Sequence, residues 1–470
     1  MAADSESAPL GLPADFGRSR RFVPPKRWWL APAGLAVAVL LVYLRACSYG
    51  FINWDDPRFL QNNPFIKALT LNNLQAIWLP GLMPGELLYI PVTYTSHLLE
   101  AVLFGARPQV MHIVNVILHL LNVWLVFYLI RRCLWRDLPA FAGALLFAVH
   151  PLNAEAVIWC MGRKDLLSAF FGLLAIHAWL GGLWRDERTC WRWYTFSVIA
   201  YLLAVLAKPT LLPLPVILFL IVYALRQHDP LSLKSQSAWK MAMGLMGVIA
   251  IPMYIVNRAV ATIPTMGSVS DKVDVSNHSL LLTPVQVLGD WIGRLLLIDL
   301  PRPLYLWPTL NIQADRLLVT GLIASIITIG VIAWAIRNKQ PMIWLPLLAI
   351  PIAALPAITL VWQENRDFYT SDRYGYFPLI GLWCLVAVLV KTLRSGDRGS
   401  RRGDLFILLL SGLWLFVFAA AVRASHVANA WGSSRDLWTY TLREDQNNPI
   451  ARNLLGITYL ETGDLESAQH

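Results

Sequence analysis

Long apolar runs separated by short polar stretches dominate the chain. A run of about 20 apolar residues can cross the roughly 30 Å hydrocarbon core of a bilayer as a helix. Other backbone conformations are excluded there, because lipid offers the backbone no hydrogen-bond partner. The pattern predicts an all-α polytopic membrane protein with about eleven transmembrane helices: 28–46, 109–130, 138–150, 165–184, 193–207, 209–225, 238–256, 316–336, 341–361, 375–393 and 404–422.

The apolar stretch 284–300 is predicted to be an interfacial or re-entrant helix. Counting it as a span would invert every later segment and place three basic loops outside. With eleven spans, every loop on one side is basic: Arg131, Arg132 and Arg136; Arg185, Arg188 and Arg192; Arg226, Lys234 and Lys240; Arg337 and Lys339; Lys391, Arg394, Arg398, Arg401 and Arg402. The positive-inside rule puts these loops in the cytoplasm.

This topology divides the chain into three parts. Residues 1–27, which end in a basic cluster, are predicted to be a cytoplasmic tail, 28–423 the membrane domain, and 424–470 an outer segment. The first outer loop, 47–108, contains amphipathic stretches at 71–79 and 86–104 that are predicted to lie in the membrane plane. Residues 449–470 match the first helix and turn of a tetratricopeptide repeat at Leu455, Gly456, Tyr459, Gly463 and Ala468. A chance amphipathic helix is the alternative.

The composition supports a membrane protein and excludes several other classes. The chain has 470 residues, of which 57% are hydrophobic and 14% charged, more apolar surface than a soluble domain could hide. Because the net charge of +10 is concentrated in the short inside loops, it indicates membrane topology and not nucleic-acid binding. The five cysteines form no CxxC pair, and small buried residues are their simplest interpretation; a disulfide between Cys47 and Cys160 is the alternative. A P-loop and a GxGxxG motif are both absent from the sequence.

Two adjacent carboxylates, Asp55 and Asp56, follow the first predicted span beside Trp54. Aromatic neighbours lower the local dielectric, and a neighbouring like charge adds to the effect, so both raise a carboxylate pKa toward the range of a general base. A turn or helix cap is the alternative, because Asp before Pro is common there.

Three cations, Arg163, Lys208 and Arg373, are predicted at the outer ends of spans, where the positive-inside rule makes them exceptions. Each could snorkel to lipid headgroups, or together they could bind an anionic ligand such as a lipid phosphate. Lys208 lies in a very short hairpin without polar neighbours in sequence. Four histidines, His97, His112, His119 and His150, show no strong ligand spacing, so no metal site is predicted, although a divalent metal requirement stays open. His150 and Glu155 are instead suited to orienting a polar substrate.

These residues resemble a known family, the transmembrane and tetratricopeptide repeat-containing protein O-mannosyltransferases and their bacterial relatives. The resemblance rests on ordered motifs: FINWDD at 51–56, Asn63-Pro64, Phe104-Gly105, His112, His150-Pro151 with Glu155, Trp159, Gly162-Arg163 and Asp165, then Lys208, and Asp372-Arg373-Tyr374 with Tyr376. It covers most of 48–225, then 362–380 and 447–470. Lys208 is followed by Pro and Thr where the family is expected to have an acidic residue.

The resemblance implies a GT-C glycosyltransferase. Such an enzyme moves a sugar, here mannose, from a polyprenyl-phosphate donor to a Ser or Thr hydroxyl of a protein at the outer face, with inversion. It implies base and substrate-orienting roles for Asp55 and Asp56, lipid-phosphate binding by Arg163, Lys208 and Arg373, and substrate contacts by their neighbours Asp372 and Tyr374. The expected location is a bacterial inner membrane. A transporter of lipid-linked sugars and a membrane-anchored repeat scaffold are the alternatives, although no inverted repeat is evident.

Overall fold

The computed structural model describes residues 29–83, 88–183, 185–228, 236–261, 282–306, 312–363, 368–393 and 401–468. These residues are almost entirely helical: α1 Leu30–Tyr43, α2 Leu71–Trp78, α3 Pro91–Phe104, α4 Pro108–Leu134, α5 Asp137–Val149, α6 Ala154–Ile158, α7 Arg163–Gly182, α8 Glu187–Ala207, α9 Leu214–His228, α10 Gln236–Ala261, α11 Thr283–Leu295, α12 Ile312–Arg337, α13 Pro341–Gln363, α14 Ile380–Leu393, α15 Arg401–Ala430, α16 Ser434–Glu444, α17 Pro449–Thr462 and α18 Leu465–Ala468. Strands β1 Tyr305–Leu306 and β2 Phe368–Thr370 pair antiparallel.

The predicted all-helical, multi-span architecture is confirmed. A helix lies at each of the eleven predicted positions, and within the described ranges eight segments are long and apolar enough to cross a membrane. A ninth forms if α5 is counted with the helical turns after it, from which it is bent by 53°. Helices α13 and α14 contribute shorter apolar segments, Pro341–Pro356 and Ile380–Leu393. The count of eleven spans therefore stays a prediction.

Helices also lie at the segments that were predicted to be helical without crossing the membrane. The stretch 284–300 forms α11, a helix of 13 residues that packs on α12. The amphipathic stretches of the first loop form α2 and α3. The predicted tail 1–27 lies outside the described residues, as do Lys234 and 394–400 of the basic loops.

Helix α14 is held at backbone distance on two sides. A Cβ at Gly143 of α5 would lie 2.6 Å from the carbonyl oxygen of Trp383 in α14. On the other side, a Cβ at Gly381 would lie 2.8 Å from the carbonyl oxygen of Pro346 in α13. Both distances are too short for any side chain, so these close packings require glycine.

At one end of the bundle several loops meet and pack together. This end, the site face, gathers the loop after α1, the turn between α5 and α7, the hairpin at Lys208 and the segment 368–379. Helices α16 and α17 cover it. Helix α17 ends at Thr462, the next residue, Gly463, has a positive φ of 79°, and α18 follows. A helix, a turn and the start of a second helix are thus present, while their assignment to a tetratricopeptide repeat stays a prediction.

Candidate active site

The two carboxylates after α1 differ in their surroundings. Asp56 is buried, and one of its oxygens accepts a hydrogen bond from the Ile52 N–H at 3.1 Å. Its other oxygen has no partner among the described residues, and burial raises the pKa of Asp56 to about 7. Asp55 is half-buried, and within the described part of the chain its carboxylate accepts no hydrogen bond. Asp55 is therefore the carboxylate that a substrate hydroxyl can reach.

An aromatic pair connects the acidic loop, residues 51–56, to the cation Arg373. Trp54 stacks on Trp159 with ring centroids 4.8 Å apart and an interplanar angle of 17°. The guanidinium carbon of Arg373 lies 5.4 Å from the Trp54 ring centroid and 5.0 Å from that of Trp159. Cations over aromatic faces are stabilised by the ring quadrupole. The carboxylate loop and Arg373, separated by more than 300 residues in sequence, thus share one site.

Lys164 is also part of this site. Its ammonium lies 4.6 Å from the Trp159 ring centroid and within electrostatic reach of two carboxylates, Asp55 and Asp165, and two cations, Arg373 and Lys208. The residue is buried, yet in the described ranges it forms no ion pair with a carboxylate. A buried unpaired ammonium is costly, so this position favours an anionic ligand.

Glu155 organises the segment that carries Arg373. Its carboxylate accepts hydrogen bonds from the Ser371 hydroxyl at 2.8 Å and the Arg373 backbone N–H at 3.0 Å, and it pairs with the Arg373 guanidinium. The Nε–H of Arg373 has no partner among the described residues, although it is buried. Glu155 thus fixes Arg373 and leaves one charged donor available.

Lys208 is paired, contrary to the reasoning from its sequence neighbours. Asp165, at the start of α7, forms an ion pair with its ammonium, because the hairpin returns beside that helix. The ammonium also lies 5.3 Å from the ring centroid of Tyr374, whose other neighbour is the Arg373 guanidinium at 5.1 Å. Two cations of the site therefore lie near the Tyr374 ring.

Asp372 faces away from this group. Its carboxylate pairs with Arg294 of α11 and accepts a hydrogen bond from the Tyr305 hydroxyl at 2.9 Å. Both partners lie in the region between 226 and 361, where the sequence shows little beyond hydropathy. These contacts hold the 371–374 segment, and a substrate contact for Asp372 stays a prediction.

Arg163 is held by two neighbouring helices. Its guanidinium donates to the Glu100 carboxylate at 2.8 Å and the Met111 carbonyl at 2.9 Å, and to the Asn115 side chain. It thereby ties α3 and α4 to α7. Each of its three nitrogens donates to a protein group, and the grouping of Arg163 with Lys208 and Arg373 in one phosphate site stays a prediction.

His150 is fully buried at the end of α5. One ring nitrogen faces the Leu295 carbonyl at 3.3 Å, the other accepts from the Leu152 N–H at 3.4 Å, and the ring lies 5.0 Å from that of Trp383. These contacts account for both nitrogens, and its substrate-orienting role stays a prediction. Among the described residues, no three or more His, Cys, Asp or Glu side chains are placed to hold a metal ion. Cys47 and Cys160 are both free thiols.

A polar cavity and an apolar groove lie side by side near Arg373. The cavity is lined by polar groups from three segments, including Asp165, Arg373 and Tyr374. The groove runs between α4, α7, α9, α13 and α14 and is lined almost entirely by apolar side chains. Ala353, Phe377 and Pro378 line both, so the groove adjoins the polar cavity.

Sequence reasoning missed Lys164, although it lies inside the Gly162–Asp165 motif. The available signal was its position one residue after Arg163 at a predicted outer span end. Which of the two adjacent cations enters the site depends on the helical direction of α7, and the sequence does not fix that.

The helices and this cluster define a polytopic membrane protein with a charged cavity at one face, and its relatives can now be compared. The family model described as "Dolichyl-phosphate-mannose-protein mannosyltransferase" matches residues 92–255. The chain is 31% identical to protein O-mannosyl-transferase Tmtc1 of Drosophila melanogaster over 182 residues, 38% of this chain and 21% of the relative. It is 22% identical to protein O-mannosyl-transferase TMTC3 of Mus musculus over 405 residues, 78% of this chain and 42% of the relative.

These matches confirm the resemblance found in the sequence to the transmembrane and tetratricopeptide repeat-containing O-mannosyltransferases. The matched regions span less than half the length of either relative. Among solved structures, the oligosaccharyltransferase of Archaeoglobus fulgidus tethered to an acceptor peptide aligns with a TM-score of 0.48 and 12% identity, covering 92% of this chain and 59% of that one.

Proposed function

We propose that the protein is a GT-C glycosyltransferase that moves a sugar, mannose, from a polyprenyl-phosphate donor to a Ser or Thr hydroxyl of a protein. The observation that carries the proposal is that the polar cavity at Arg373 adjoins the apolar groove. A ligand that spans both has a charged head and a hydrocarbon tail. A polyprenyl-phosphate sugar has that chemistry.

Arg373 lines the cavity and two more cations lie near it, an arrangement that suits a phosphate head. Arg373 keeps a buried donor at Nε, and Lys164 is a buried ammonium without an ion-paired carboxylate among the described residues. The Lys208 ammonium lies 5.3 Å from the Tyr374 ring centroid and pairs with Asp165. In the transfer the phosphate is the leaving group, so fixed cations in a dry site stabilise the charge that develops on it.

Asp55 is assigned the role of general base. The acceptor hydroxyl oxygen forms a bond to the anomeric carbon, the bond from that carbon to the phosphate oxygen breaks, and the hydroxyl proton passes to the Asp55 carboxylate. One displacement inverts the anomeric configuration. Asp56 supports the loop through Ile52, and Glu155 positions Arg373.

The names of the relatives support the sugar and the acceptor. The matching family model is described by dolichyl-phosphate-mannose and protein as its substrates, and both relatives are named protein O-mannosyl-transferases. We propose that the site face lies outside the cytoplasm, because the loops at the other end of the bundle are basic. The proposed location is a bacterial inner membrane. A cysteine introduced at the exposed Gln446 is expected to react with a membrane-impermeant maleimide added to the outer side.

The direct test is transfer by the purified protein in nanodiscs, with radiolabelled polyprenyl-phosphate mannose and Ser/Thr peptides. Asp55→Asn is expected to lower the rate by about 10²- to 10⁴-fold, the usual contribution of a general base. Asp137→Asn, an exposed carboxylate at the opposite end of the bundle, is the matched control and keeps the wild-type rate. Absence of transfer by wild type with every donor, or undiminished transfer by Asp55→Asn, would overturn the proposal.

A further inference from the structure

Asn53, two residues before Asp55, is held by the C-terminal helices. Its backbone N–H donates to the Ser434 hydroxyl at 3.0 Å. Its side-chain amide donates to the Thr458 hydroxyl at 2.8 Å and to the Leu454 carbonyl at 3.0 Å. The indole N–H of Trp438 donates to the Asn53 side-chain oxygen at 2.6 Å. These four bonds join the acidic loop to α16 and α17, about 400 residues away in sequence.

The orientation of the Asn53 side chain is determined by its partners. An indole N–H only donates and a backbone carbonyl only accepts, so the amide oxygen must face Trp438 and the nitrogen must face Leu454. Both amide hydrogens and the oxygen are therefore used. A residue with the same shape but without this pattern would leave a partly buried polar group unpaired, which is costly.

The next residue continues the connection toward the cations. The Trp54 ring lies 6.2 Å from the ring of Trp431 in the turn after α15 and 6.2 Å from that of Trp438 in α16. Its other neighbours are Trp159 and Arg373. The acidic loop is thus enclosed between the C-terminal helices and the group of Arg373, Lys164, Lys208 and Trp159, here called the Arg373 cluster. Asp55 is the residue directly after Trp54.

We propose that Asn53 is a positioning residue through which α16 and α17 hold Asp55 in place against the Arg373 cluster. The inference rests on the proposed function for the role of Asp55, but not for the mechanical link itself. A ligand or protein segment that moves α17 would then change the rate of transfer without touching the donor. The C-terminal helices act on the reaction as well as covering the site.

Two threonines one helical turn apart provide the test. Thr458→Val removes the hydroxyl that accepts from Asn53, whereas Thr462→Val removes an exposed hydroxyl bonded to carbonyls of its own helix. Thr458→Ser restores the hydroxyl. Hydrogen–deuterium exchange of the peptide 51–58 in nanodiscs reports on the loop, and transfer kinetics report on its consequence.

For Thr458→Val we expect roughly fivefold faster exchange of this peptide, the effect of losing one hydrogen bond. The kcat is expected to fall about tenfold with the donor KM unchanged, because misplacement of a catalytic group affects the chemical step. Thr458→Ser should recover both values, and Thr462→Val should match wild type. Asn53→Ala is expected to show larger effects of the same kind.

Exchange of 51–58 that is the same in Thr458→Val, Asn53→Ala and Thr462→Val would overturn the inference. A kcat that is unchanged despite faster exchange would also overturn it, because Asp55 would then not depend on the link. If exchange responds as expected while wild type transfers no sugar, the proposed function fails and the mechanical link stands.

Discussion

Arg163 and Arg373 lie at comparable places in the sequence, each at the predicted outer end of a span, yet they belong to different kinds of region. Every nitrogen of the Arg163 guanidinium donates a hydrogen bond, to Glu100, Asn115 or a backbone carbonyl, and the residue joins three helices. Arg373 is held by Glu155 but keeps a donor, and it lines a cavity. Both are buried ion pairs, so burial and charge do not separate them.

The two arginines differ in whether a guanidinium nitrogen is left without a protein partner. A buried cation whose nitrogens are all used stabilises the packing around it, and its loss leaves its partners unpaired. A cation with an unused donor beside a cavity has a place for a ligand. Lys164 is grouped with Arg373, because it is buried without an ion-paired carboxylate among the described residues and lies within electrostatic reach of Arg373, whereas Arg163 is not. The variants below test that division.

The largest expected effect is on folding, for Arg163→Met. The substitution leaves the Glu100 carboxylate buried without its cation, which costs about 3–5 kcal/mol of unfolding free energy. Burial already raises the pKa of Glu100, so a neutral side chain should be tolerated there. Denaturant unfolding in micelles should therefore show a severe loss for Arg163→Met and partial recovery for Arg163→Met with Glu100→Gln. Wild-type stability of the single variant would place Arg163 with the ligand-binding cations after all.

Arg373→Lys should affect the donor and leave the fold intact. Lysine keeps the charge beside Glu155 but has no counterpart of the Nε donor. Loss of one charge-assisted hydrogen bond, worth about 1.5–3 kcal/mol, predicts a kcat/KM for the donor that is roughly 10- to 100-fold lower. Transfer kinetics against polyprenyl-phosphate mannose measure this, with the thermal unfolding midpoint as control. A donor kcat/KM within a factor of two of wild type would contradict the assignment.

Lys164→Met should weaken donor binding without lowering stability. Removal of a buried ammonium without a carboxylate partner relieves its desolvation cost, so the unfolding midpoint should stay the same or rise. The donor KM should rise about tenfold, since a phosphate would lose a charged partner. Unfolding and transfer measured on the same preparation distinguish this outcome from general damage. A fall in the midpoint by several degrees would indicate that Lys164 is a structural cation.

Stability is also expected to depend on pH, through Asp56. Burial raises the pKa of Asp56 from 3.8 to about 7, so between these values the folded protein holds a proton that the unfolded chain has released. The stability contributed by the protonated carboxyl is complete below about pH 4 and is lost as the pH rises toward 7, at no more than about 1.4 kcal/mol per unit. Denaturant unfolding of wild type should show this slope, and Asp56→Asn should not. A stability that rises over this window in wild type alone would contradict a buried, protonated Asp56.

The helices were predictable from the sequence, since apolar runs and basic loops are local patterns, and each predicted span contains a helix. The meeting of the 51–56 loop with Glu155 and Arg373 was also expected, from the family resemblance. The carboxylate with which each buried cation pairs could not be predicted from the sequence. Lys208 finds Asp165 and Asp372 finds Arg294 across tens of residues, and such pairs depend on how helices turn toward one another.

The hydrogen bonds that link Asn53 to α16 and α17 could not be predicted from the sequence either. A single Asn before a Trp carries no signal for a partner 405 residues later, and the tetratricopeptide-like pattern of 449–470 concerns its own helix. The distinction between Arg163 and Lys164 depends on the direction of one helix start. These features are tertiary, and only the packed bundle determines them.

The glycines around α14 have a consequence for what the apolar groove can accept. Gly381 lines that groove, and with Gly143 it places α14 in main-chain contact with a neighbour on each side. A change of side-chain rotamer cannot move α14 away from these contacts. On this side, the position of the backbone therefore determines the width of the groove. Selection among hydrocarbon tails by thickness or branching must then come from the flexible lining of other helices, such as Met342 and Leu345 of α13. The tail of the proposed lipid donor would then contact one wall that is fixed by backbone packing and other walls that are formed by flexible side chains.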